Sequence, residues 1–404
     1  MIERDIIVVG AGPVGLTAAL AVRATGRPVT VVEAGAADRI RPGSRAIFLH
    51  KVTLGVLERI RPGLGWELVR HGLTWRTKRT FFRGREVFRR TYGAESARAL
   101  PAATSLPQVV TEAVLLDACR DAGVDFVWTY EVTSAHAGPE GVTLTAATGL
   151  PLTARFVIGA DGARSAVRES AGLHLEGPRT SSTFVIVDTA EDPANPLPVE
   201  RVFHYEHPNV GFRNVLFVPF AGHWRVDLHC HPGDDPDALS SDAGVREWLV
   251  RVMPAPYANR VTWVSTYVFR QAIANRFADA TGRMLLAGEA AHVFAPFGAR
   301  GLNSGVADAF VAAGAVDHAL ADRPTAGVHA AVQAFAAARR AAATRNRAAS
   351  SKALRHLEAA SPVRRAVRRA AARVAPSLPG VGSWMDRAPY GPPLGGADRH
   401  GMYY

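Results

Sequence analysis

A glycine-rich hexapeptide near the start of the chain has the residue types needed to bind a pyrophosphate. Residues 10–15 have the spacing GxGxxG, and Glu33 follows 18 residues after the last glycine. The first glycine permits a tight turn, the second lets backbone approach the pyrophosphate, and the third lets a helix pack closely on a strand. The carboxylate accepts hydrogen bonds from ribose hydroxyls. The pattern predicts a dinucleotide site made of Gly10, Gly12, Pro13, Val14, Gly15 and Glu33.

The elements around this motif have the order that such a site needs. Asp5–Val9 is predicted to be a short apolar strand, Leu16–Ala24 a helix, and Val29–Val32 a second strand that ends at Glu33. The free N–H groups and the dipole at the helix N-terminus attract an anion. The first 33 residues are therefore predicted to form a strand, turn, helix and strand of a Rossmann-like fold.

Two further motifs join a strand to a turn and a helix. In residues 156–168 an apolar strand precedes Asp161-Gly162 and a serine suited to cap the next helix. In residues 284–292 a second strand precedes Gly288-Glu289, and the loop 296–305 then leads into a helix. A glycine-rich turn that opens a helix is an anion site in its own right.

Taken in this order, the three motifs resemble those of the class A flavoprotein monooxygenases, the aromatic hydroxylases typified by para-hydroxybenzoate hydroxylase. The resemblance spans about residues 1–340. It implies FAD as cofactor and NADPH or NADH as co-substrate. It also implies that a flavin C4a-hydroperoxide formed with O2 hydroxylates an aromatic or polyketide-derived phenolic substrate. The alternative is an FAD-binding protein that catalyses a non-redox cyclisation with the flavin as a structural element.

The resemblance also implies roles for individual residues. The first motif and Glu33 would bind the ADP half of FAD. Pro296 and Gly298 would lie on the catalytic loop that faces flavin and substrate, with no acid–base residue assigned. Two positions depart from the family pattern, because Glu289 stands where the family has Asp and Ala299 where it has a second glycine. The other implied cofactor-binding residues are Arg45, Gln108, Asp161, Gly162, Gly288, Glu289, Gly301, Leu302 and Asn303.

The predicted fold class is α/β, with a Rossmann-like FAD-binding domain, an inserted β-sheet substrate domain and a helical C-terminal segment. Turn residues separate four predicted strands of the insertion, at 183–188, 199–205, 214–220 and 223–229. Irregular coil is predicted from Pro376 onward. The predicted division is an FAD-binding domain of residues 1–75, 101–180 and 266–330, a substrate domain of 76–100 and 181–265, and a basic helical segment with a C-terminal tail of 331–404.

The net charge of +11 is concentrated in one segment. Residues 330–373 hold eleven Arg or Lys and one acid, so they carry +10. Without interleaved aromatic residues or a known motif, this segment is predicted to be a solvated basic helix face, and no nucleic-acid partner is expected.

The composition excludes several classes of protein. The 404 residues include two cysteines, Cys119 and Cys230, too few for a disulfide framework. No apolar stretch approaches the roughly 18 residues needed to cross a bilayer, and a signal peptide has no room before the first strand. The expectation is a cytoplasmic monomer or homodimer, not bound to a membrane, that acts on a small aromatic molecule and O2.

Several histidines and aromatic residues could also carry chemistry. His229-Cys230-His231 has no carboxylate or second cysteine at ligand spacing, so surface histidines are predicted and no metal is expected. His292 is expected to make a structural hydrogen bond. The candidates for lining the substrate pocket are Trp224, Arg225, His204 and Tyr205.

Overall fold

The computed structural model describes residues 2–39, 43–93, 98–138, 140–321 and 327–391. The strands are β1 (Ile2–Val9), β2 (Thr30–Val32), β3 (Phe48–His50), β4 (Thr77–Phe82), β5 (Arg85–Thr91), β6 (Ala103–Ser105), β7 (Asp125–Val127), β8 (Val132–Ala137), β9 (Val142–Ala146), β10 (Leu152–Gly159), β11 (Leu175–Glu176), β12 (Arg179–Ala190), β13 (Glu200–His207), β14 (Arg213–Phe220), β15 (His223–His229), β16 (Val261–Arg270), β17 (Ala272–Ala274), β18 (Met284–Leu286) and β19 (His292–Val293). The α-helices are α1 (Pro13–Ala24), α2 (Lys51–Ile60), α3 (Leu64–His71), α4 (Gln108–Asp121), α5 (Ala166–Ser170), α6 (Pro236–Ser240), α7 (Asp242–Leu249), α8 (Ala255–Ala258), α9 (Arg300–Ala321), α10 (Gly327–Glu358), α11 (Pro362–Val374) and α12 (Pro379–Arg387).

Five parallel strands form the part of the first sheet that carries the glycine motifs. Their order is β7-β2-β1-β10-β18, and β9 and β8 continue the sheet antiparallel beside the first half of β10. Val9, Val32, Gly159 and Leu286 are the last residues of four of these strands. Because parallel strands bring their carboxyl ends to one edge, the turns that follow them meet at that edge.

Helices α1 and α9 cover this sheet through small side chains. Helix α1 begins at Pro13, where a missing N–H costs nothing in the first turn. Ala18 and Ala19 of α1 are buried, as are Ala309 and Ala312 of α9. Small residues let the two helices approach each other and the strands closely, so the first turn of each helix reaches the same end of the sheet.

The second large sheet has its two faces in different environments. Its order is β16-β12-β15-β14-β13-β4-β5, antiparallel except for the pair β13 and β4. Side chains alternate along each strand, so Val226 and Leu228 of β15 pack in one cluster with Trp248 of α7. The opposite face holds Phe203, which belongs to a cluster with Leu357 of α10 and Met385 of α12.

The predicted fold class is confirmed, since the chain has mixed α/β structure and a helical C-terminal segment. The four strands predicted in the insertion are also present. The domain division stays a prediction, and β12 and β16 each extend across one of its boundaries.

The predicted coil after Pro376 is wrong for residues 379–390. Helix α12 and a short 3-10 helix, Ala388–Tyr390, occupy them. Pro379 is the first residue of α12, a position where proline begins a helix instead of breaking it. The rest of the predicted tail, residues 392–404, lies outside the described residues.

The basic segment is only partly a solvated face. Arg364, Arg365 and Arg369 are exposed on α11 as predicted. Arg368 is 5% exposed and pairs with Glu206 of β13 at 2.6 Å, so the prediction is wrong for this residue. In the described part of the chain, no helix is both long and apolar enough to cross a membrane.

Candidate active site

The first glycine motif has positions that a side chain would not fit. Gly10 has φ +102°, and a Cβ there would lie 2.6 Å from the carbonyl oxygen of Ala160. A Cβ on Gly15 would lie 1.8 Å from the carbonyl oxygen of Gly10. Gly12 caps the N-terminus of α1 with extended backbone. The turn therefore brings backbone N–H groups and a helix N-terminus to the edge of the sheet, as the sequence predicts.

Glu33 is held against the same turn. Its Oε2 accepts a hydrogen bond from Ala11 N at 2.7 Å, and its Oε1 accepts one from Gly35 N at 3.1 Å. Arg39 lies 3.6 Å from Oε1 and donates to the carbonyl oxygen of Ala11 at 2.8 Å. Sequence reasoning missed Arg39, which clamps the carboxylate and the glycine turn together.

The second motif touches the first. A Cβ on Gly10 would lie 3.2 Å from the Cα of Asp161. Asp161 Oδ2 accepts from Val167 N at 3.1 Å in the first turn of α5, whereas Oδ1 is buried without a hydrogen-bond partner among the described residues. Burial raises the pKa of Asp161, although hydrogen bonds from Ser165 and Val167 oppose this. Gly162 follows with φ +80°, which completes the tight turn.

The third motif packs on Val14. Gly288 has φ +62°, and a Cβ there would lie 3.0 Å from the Val14 side chain. The Glu289 side chain is exposed, yet protein atoms surround it closely enough that burial raises its pKa, while His292 and Arg45 lower it. A side chain that is open to solvent and crowded by protein lies in a cleft, which is where the family resemblance places this residue.

Asp308 joins the third motif to two helices, and sequence reasoning gave it no role. Its carboxylate is fully buried and accepts from His292 Nε2 at 2.5 Å, Arg339 Nε at 2.6 Å and Gly288 N at 3.2 Å. Burial alone would raise the pKa of Asp308, but His292 and Arg339 lower it. The structural hydrogen bond predicted for His292 is confirmed. An acid within the otherwise alanine-rich stretch of α9 is the signal that could have revealed Asp308.

The loop before α9 is held in an unusual backbone conformation. Gly298 has φ +77° and Ala299 has φ +51°, the left-handed region that favours glycine. The alanine therefore adopts the backbone that a glycine would have there. His50 Nε2 donates to the carbonyl oxygen of Gly298 at 3.0 Å, and burial lowers the pKa of His50 to about 4, which keeps it neutral. Sequence reasoning did not identify His50.

The first turn of α9 presents backbone more than side chains. A Cβ on Gly301 would meet no atom within 4 Å, and Leu302 is half-buried. The Asn303 amide is fully used within the fold, since Nδ2 donates to Phe48 O at 2.9 Å and Oδ1 accepts from Thr53 Oγ1 at 2.5 Å. The Asn303 side chain is therefore not available to a ligand. Helix α9 begins at Arg300, so the N–H groups without an acceptor inside the helix are those of its first residues, among them Gly301 and Leu302.

Arg45 and Gln108 lie close to each other, because Gln108 contacts the backbone of Ser44 and Ala46 on either side of Arg45. The Gln108 side chain accepts from Ala46 N at 3.4 Å and donates to Glu112 at 2.8 Å. Arg45 is exposed with φ +50°, and its charge lowers the pKa of Glu289. The structure therefore brings residues of the three motifs into contact, and Arg45 lies close enough to Glu289 to lower its pKa.

A second cavity adjoins this loop. The space between the residues that line it comes to about 500 Å³, including the part that is open to solvent. Pro296 and Phe297 contribute to its wall just before α9 begins, and Pro389 and Tyr390 close it from the C-terminal turn. The other lining residues come from one face of the second sheet: Phe184, Ile186, Phe203, Asn214, Leu216, Asp227 and Phe269.

The four predicted pocket residues do not line this cavity. Trp224 packs in the cluster on the opposite face, and His204 stacks on Phe81. Arg225 shares the pocket face but pairs with Asp188 at 3.3 Å. Tyr205 donates to the carbonyl oxygen of Met385 at 2.7 Å. Trp224 and His204 therefore lie on the face of the sheet opposite to the cavity. Arg225 and Tyr205 make contacts with other residues that stabilise the fold.

His229 is buried, so the prediction of a surface residue is wrong. It stacks on Phe184 with ring centroids 4.3 Å apart and bonds Ser182 Oγ at 2.9 Å. Burial lowers its pKa to about 4. His231 is exposed as predicted. Within the described ranges, no group of three or more His, Cys, Asp or Glu residues is arranged to hold a metal ion.

The chain belongs to the FAD binding domain family, which matches residues 3–348. The site fits that cofactor, since it combines glycines at which a side chain would collide, two helix N-termini and an unpartnered buried oxygen on Asp161. FAD is the cofactor that these residues would hold.

Among known proteins, the chain is similar to 6-methylpretetramide 4-monooxygenase of Streptomyces rimosus, with 33% identity over 76% of this chain and 54% of that protein. The chain thus spans about half the length of this curated relative. Its fold matches p-nitrophenol 4-monooxygenase PnpA of Pseudomonas putida DLL-E4, with a TM-score of 0.79, 23% identity and coverage of 98% and 100%. It also matches the Diels-Alderase PyrE3 of pyrroindomycin biosynthesis, with a TM-score of 0.70, 24% identity and coverage of 95% and 79%.

Proposed function

We propose that this protein is an FAD-dependent monooxygenase that hydroxylates an aromatic or polyketide-derived phenolic substrate. The reaction consumes one O2 and one NADH or NADPH. One oxygen atom enters a C–H bond of the ring, and the other leaves as water with the hydride of the nicotinamide and a proton.

The observation that carries this proposal is the continuity of one loop between the two cavities. Pro296 and Phe297 line the aromatic pocket, and α9 begins three residues later at Arg300, with a first turn that we assign to the FAD cleft. A ring bound in the pocket would therefore lie beside a cofactor held in the cleft. Reaction between two bound groups needs such proximity.

Different residues around the cleft would bind different parts of the cofactor. Gly10, Gly12 and the N-terminus of α1 would face the pyrophosphate, and Glu33 the adenosine ribose. Glu289 would bind the ribityl chain, and the backbone of Gly301–Asn303 would face the flavin ring. Bound FAD supplies electron transfer from the nicotinamide and activation of O2. The chain's own residues bind it and orient the substrate.

The pocket contributes by excluding water. Phenylalanine rings and prolines form most of its wall, and an apolar wall leaves few sites at which water can be held beside the reacting carbon. His50 acts as a positioning residue, because its bond to the Gly298 carbonyl oxygen fixes the loop that separates the cleft from the pocket.

The non-redox cyclisation is the weaker interpretation. The likeness to the Diels-Alderase, at 24% identity, shows the fold alone, whereas the relative at 33% identity is a monooxygenase. Fold by itself does not determine chemistry.

The deciding experiment measures product from a panel of phenols under labelled O2. The proposal predicts one labelled oxygen atom per product and a strict need for NADH or NADPH. Product formed without O2 and without the nicotinamide would instead support cyclisation.

A further inference from the structure

Asp227 lies on the pocket wall without a hydrogen-bond partner. In β15 it pairs across the sheet with Ile186 of β12 and Leu216 of β14, and all three line the cavity. Asp227 Oδ1 is buried and has no partner among the described residues. Because buried polar groups are normally hydrogen-bonded, an unpartnered carboxylate oxygen in a cavity requires an explanation.

The other polar groups on this face already have partners. Asn214 Oδ1 accepts from Glu206 N at 3.2 Å, and Nδ2 donates to the carbonyl oxygen of Leu357 at 3.2 Å. Asp188 accepts from Ser44 N at 3.1 Å and pairs with Arg225. Asp227 thus differs from the neighbouring carboxylate, because its acceptor is left for a molecule in the cavity.

The rest of the wall determines what that molecule is. Phe184, Phe203, Phe269 and Phe297 offer ring surfaces for a flat aromatic ligand. None of the residues that the structure shows lining the cavity is Lys, Arg or His. A carboxylate on the ligand would therefore be buried beside Asp227 without a counter-charge, which is unfavourable.

We propose that Asp227 accepts the hydroxyl hydrogen of a neutral phenolic substrate, so that the pocket selects uncharged hydroxyarenes over arene carboxylates. This inference rests on the proposed hydroxylation. The proton of the phenol moves toward Asp227 Oδ1, and the electron pair of the O–H bond stays on the phenolic oxygen. The added electron density reaches the ring carbons ortho and para to that oxygen, which then react more readily with an electrophilic oxygen atom. When the ring regains its aromaticity, the hydrogen of the attacked C–H bond leaves as a proton to water, and the proton held by Asp227 returns to the phenolic oxygen.

Charge near the pocket is compatible with this role. Burial raises the pKa of Asp227 to about 6, with Arg225 lowering it and Asp188 raising it. The carboxylate is therefore ionised at pH 7.5 and can accept the hydrogen bond.

The test measures equilibrium binding of ligands to FAD-loaded protein at pH 7.5 in the absence of nicotinamide. Binding is monitored through the change in flavin absorption. The ligands are 1-naphthol, naphthalene and 1-hydroxy-2-naphthoate. Wild-type protein should bind 1-naphthol at least about tenfold more tightly than naphthalene, the value of a hydrogen bond to a charged group, and should bind the naphthoate more weakly than 1-naphthol.

Three variants of Asp227 separate the carboxylate from packing. Asp227→Leu, which keeps the branching at Cγ but replaces the carboxylate oxygens by methyl groups, should abolish the preference for 1-naphthol over naphthalene. Asp227→Asn, which keeps the volume, should reduce it. Asp227→Glu should restore part of it. Asp117→Asn, at an exposed aspartate of α4, should behave as wild type. FAD content should be unchanged in all four variants, which confirms that each is folded.

The outcomes separate this inference from the proposed function. An undiminished hydroxyl preference in Asp227→Leu, or tighter binding of the naphthoate than of 1-naphthol by wild type, would overturn the role of Asp227. If wild type hydroxylates 1-naphthol with labelled O2 and Asp227→Leu does so with the same KM, hydroxylation stands and the inference fails. If the preference depends on Asp227 but no labelled oxygen enters any phenol, the inference stands and hydroxylation fails.

Discussion

The FAD cleft and the pocket proposed for the substrate are built in opposite ways. At the cleft, turns that directly follow Val9, Gly159 and Leu286 supply backbone groups from short, contiguous motifs. At the pocket, side chains come from β12 to β16 and from the C-terminal turn, far apart in the chain. The first arrangement depends on glycines that permit close approach. The second depends on side chains of distant segments that pack into one wall, in which Asp227 Oδ1 has no partner among the described residues.

The largest expected effect concerns the ion pairs beneath the cleft. Asp308→Ala leaves His292 and Arg339 without their shared acceptor, so the free energy of unfolding should fall by about 3–5 kcal/mol. Urea unfolding measures this. Asp317→Ala, on the same helix, breaks a half-exposed pair with Arg27 and should cost less than about 1 kcal/mol. Equal losses in the two variants would show that Asp308 does not organise the cleft.

The next effect tests the close approach of backbone at the first motif. A methyl group at Gly15 would collide with the Gly10 carbonyl oxygen, so Gly15→Ala should lose FAD and destabilise the fold by up to about 3 kcal/mol. Absorption of bound flavin and thermal unfolding measure the two effects. Gly314→Ala, where a Cβ meets no atom within 4 Å inside α9, should instead stabilise by about 0.5–1 kcal/mol. Full FAD retention by Gly15→Ala would contradict the proposed pyrophosphate site.

A third prediction concerns the longer carboxylate of the third motif. If Glu289 binds the ribityl chain, Glu289→Ala should weaken FAD binding by about 1–3 kcal/mol, and Glu289→Asp should be mild or should improve binding. Titration of the FAD-free protein with FAD gives both affinities. Glu169→Ala, an exposed acid on α5, is the control. Unchanged affinity in Glu289→Ala would remove this residue from the cofactor site.

The smallest effect tests whether the ionised Asp227 carboxylate lowers the free energy of unfolding. Its neighbours with charge or a titratable group are Arg225 on its own strand, Asp188 on β12 and Tyr390 from the C-terminal turn. The pKa of Asp227 is raised by burial to about 6 in the folded protein, above about 3.9 in the unfolded chain. The folded state therefore holds the proton more tightly, and stability is lost as pH rises between these two values.

Asp227→Asn should accordingly raise the free energy of unfolding by about 1–2 kcal/mol at pH 7.5 and change it little at pH 4. Urea midpoints at the two pH values measure the difference, with Asp117→Asn as the exposed control. A variant that is no more stable than wild type at pH 7.5 would show that the carboxylate is well solvated and that the pocket gains nothing by pairing it with a ligand.

The cofactor half of the protein was predictable because its signals are local. The spacing of Gly10, Gly12 and Gly15, with Glu33 one strand later, follows from steric demands within about 30 residues. The same holds for the Asp161 and Gly288 turns, which follow apolar strands. What the sequence did not reveal there were the partners that clamp these turns. His50 bonds the loop at Gly298, and Asp308 joins the third motif to Arg339 of α10, so their contacts link distant segments. Arg39 lies near in sequence but outside the motif, and no spacing marks it.

The sequence by itself determined the α/β class, the strands of the insertion and the FAD family of this protein. Only the tertiary structure decided which side chains form the pocket. A strand predicts two faces but not which one points inward, so Trp224 was chosen although it packs on the face opposite to Asp227, which lines the cavity. The sequence also does not show which polar residues are already paired. Arg225 meets Asp188 only through the pairing of β15 with β12, and Tyr205 meets the Met385 carbonyl oxygen only when α12 packs on the sheet. Local backbone geometry is encoded in neighbouring residues, whereas the choice of a buried partner depends on contacts made across the whole fold.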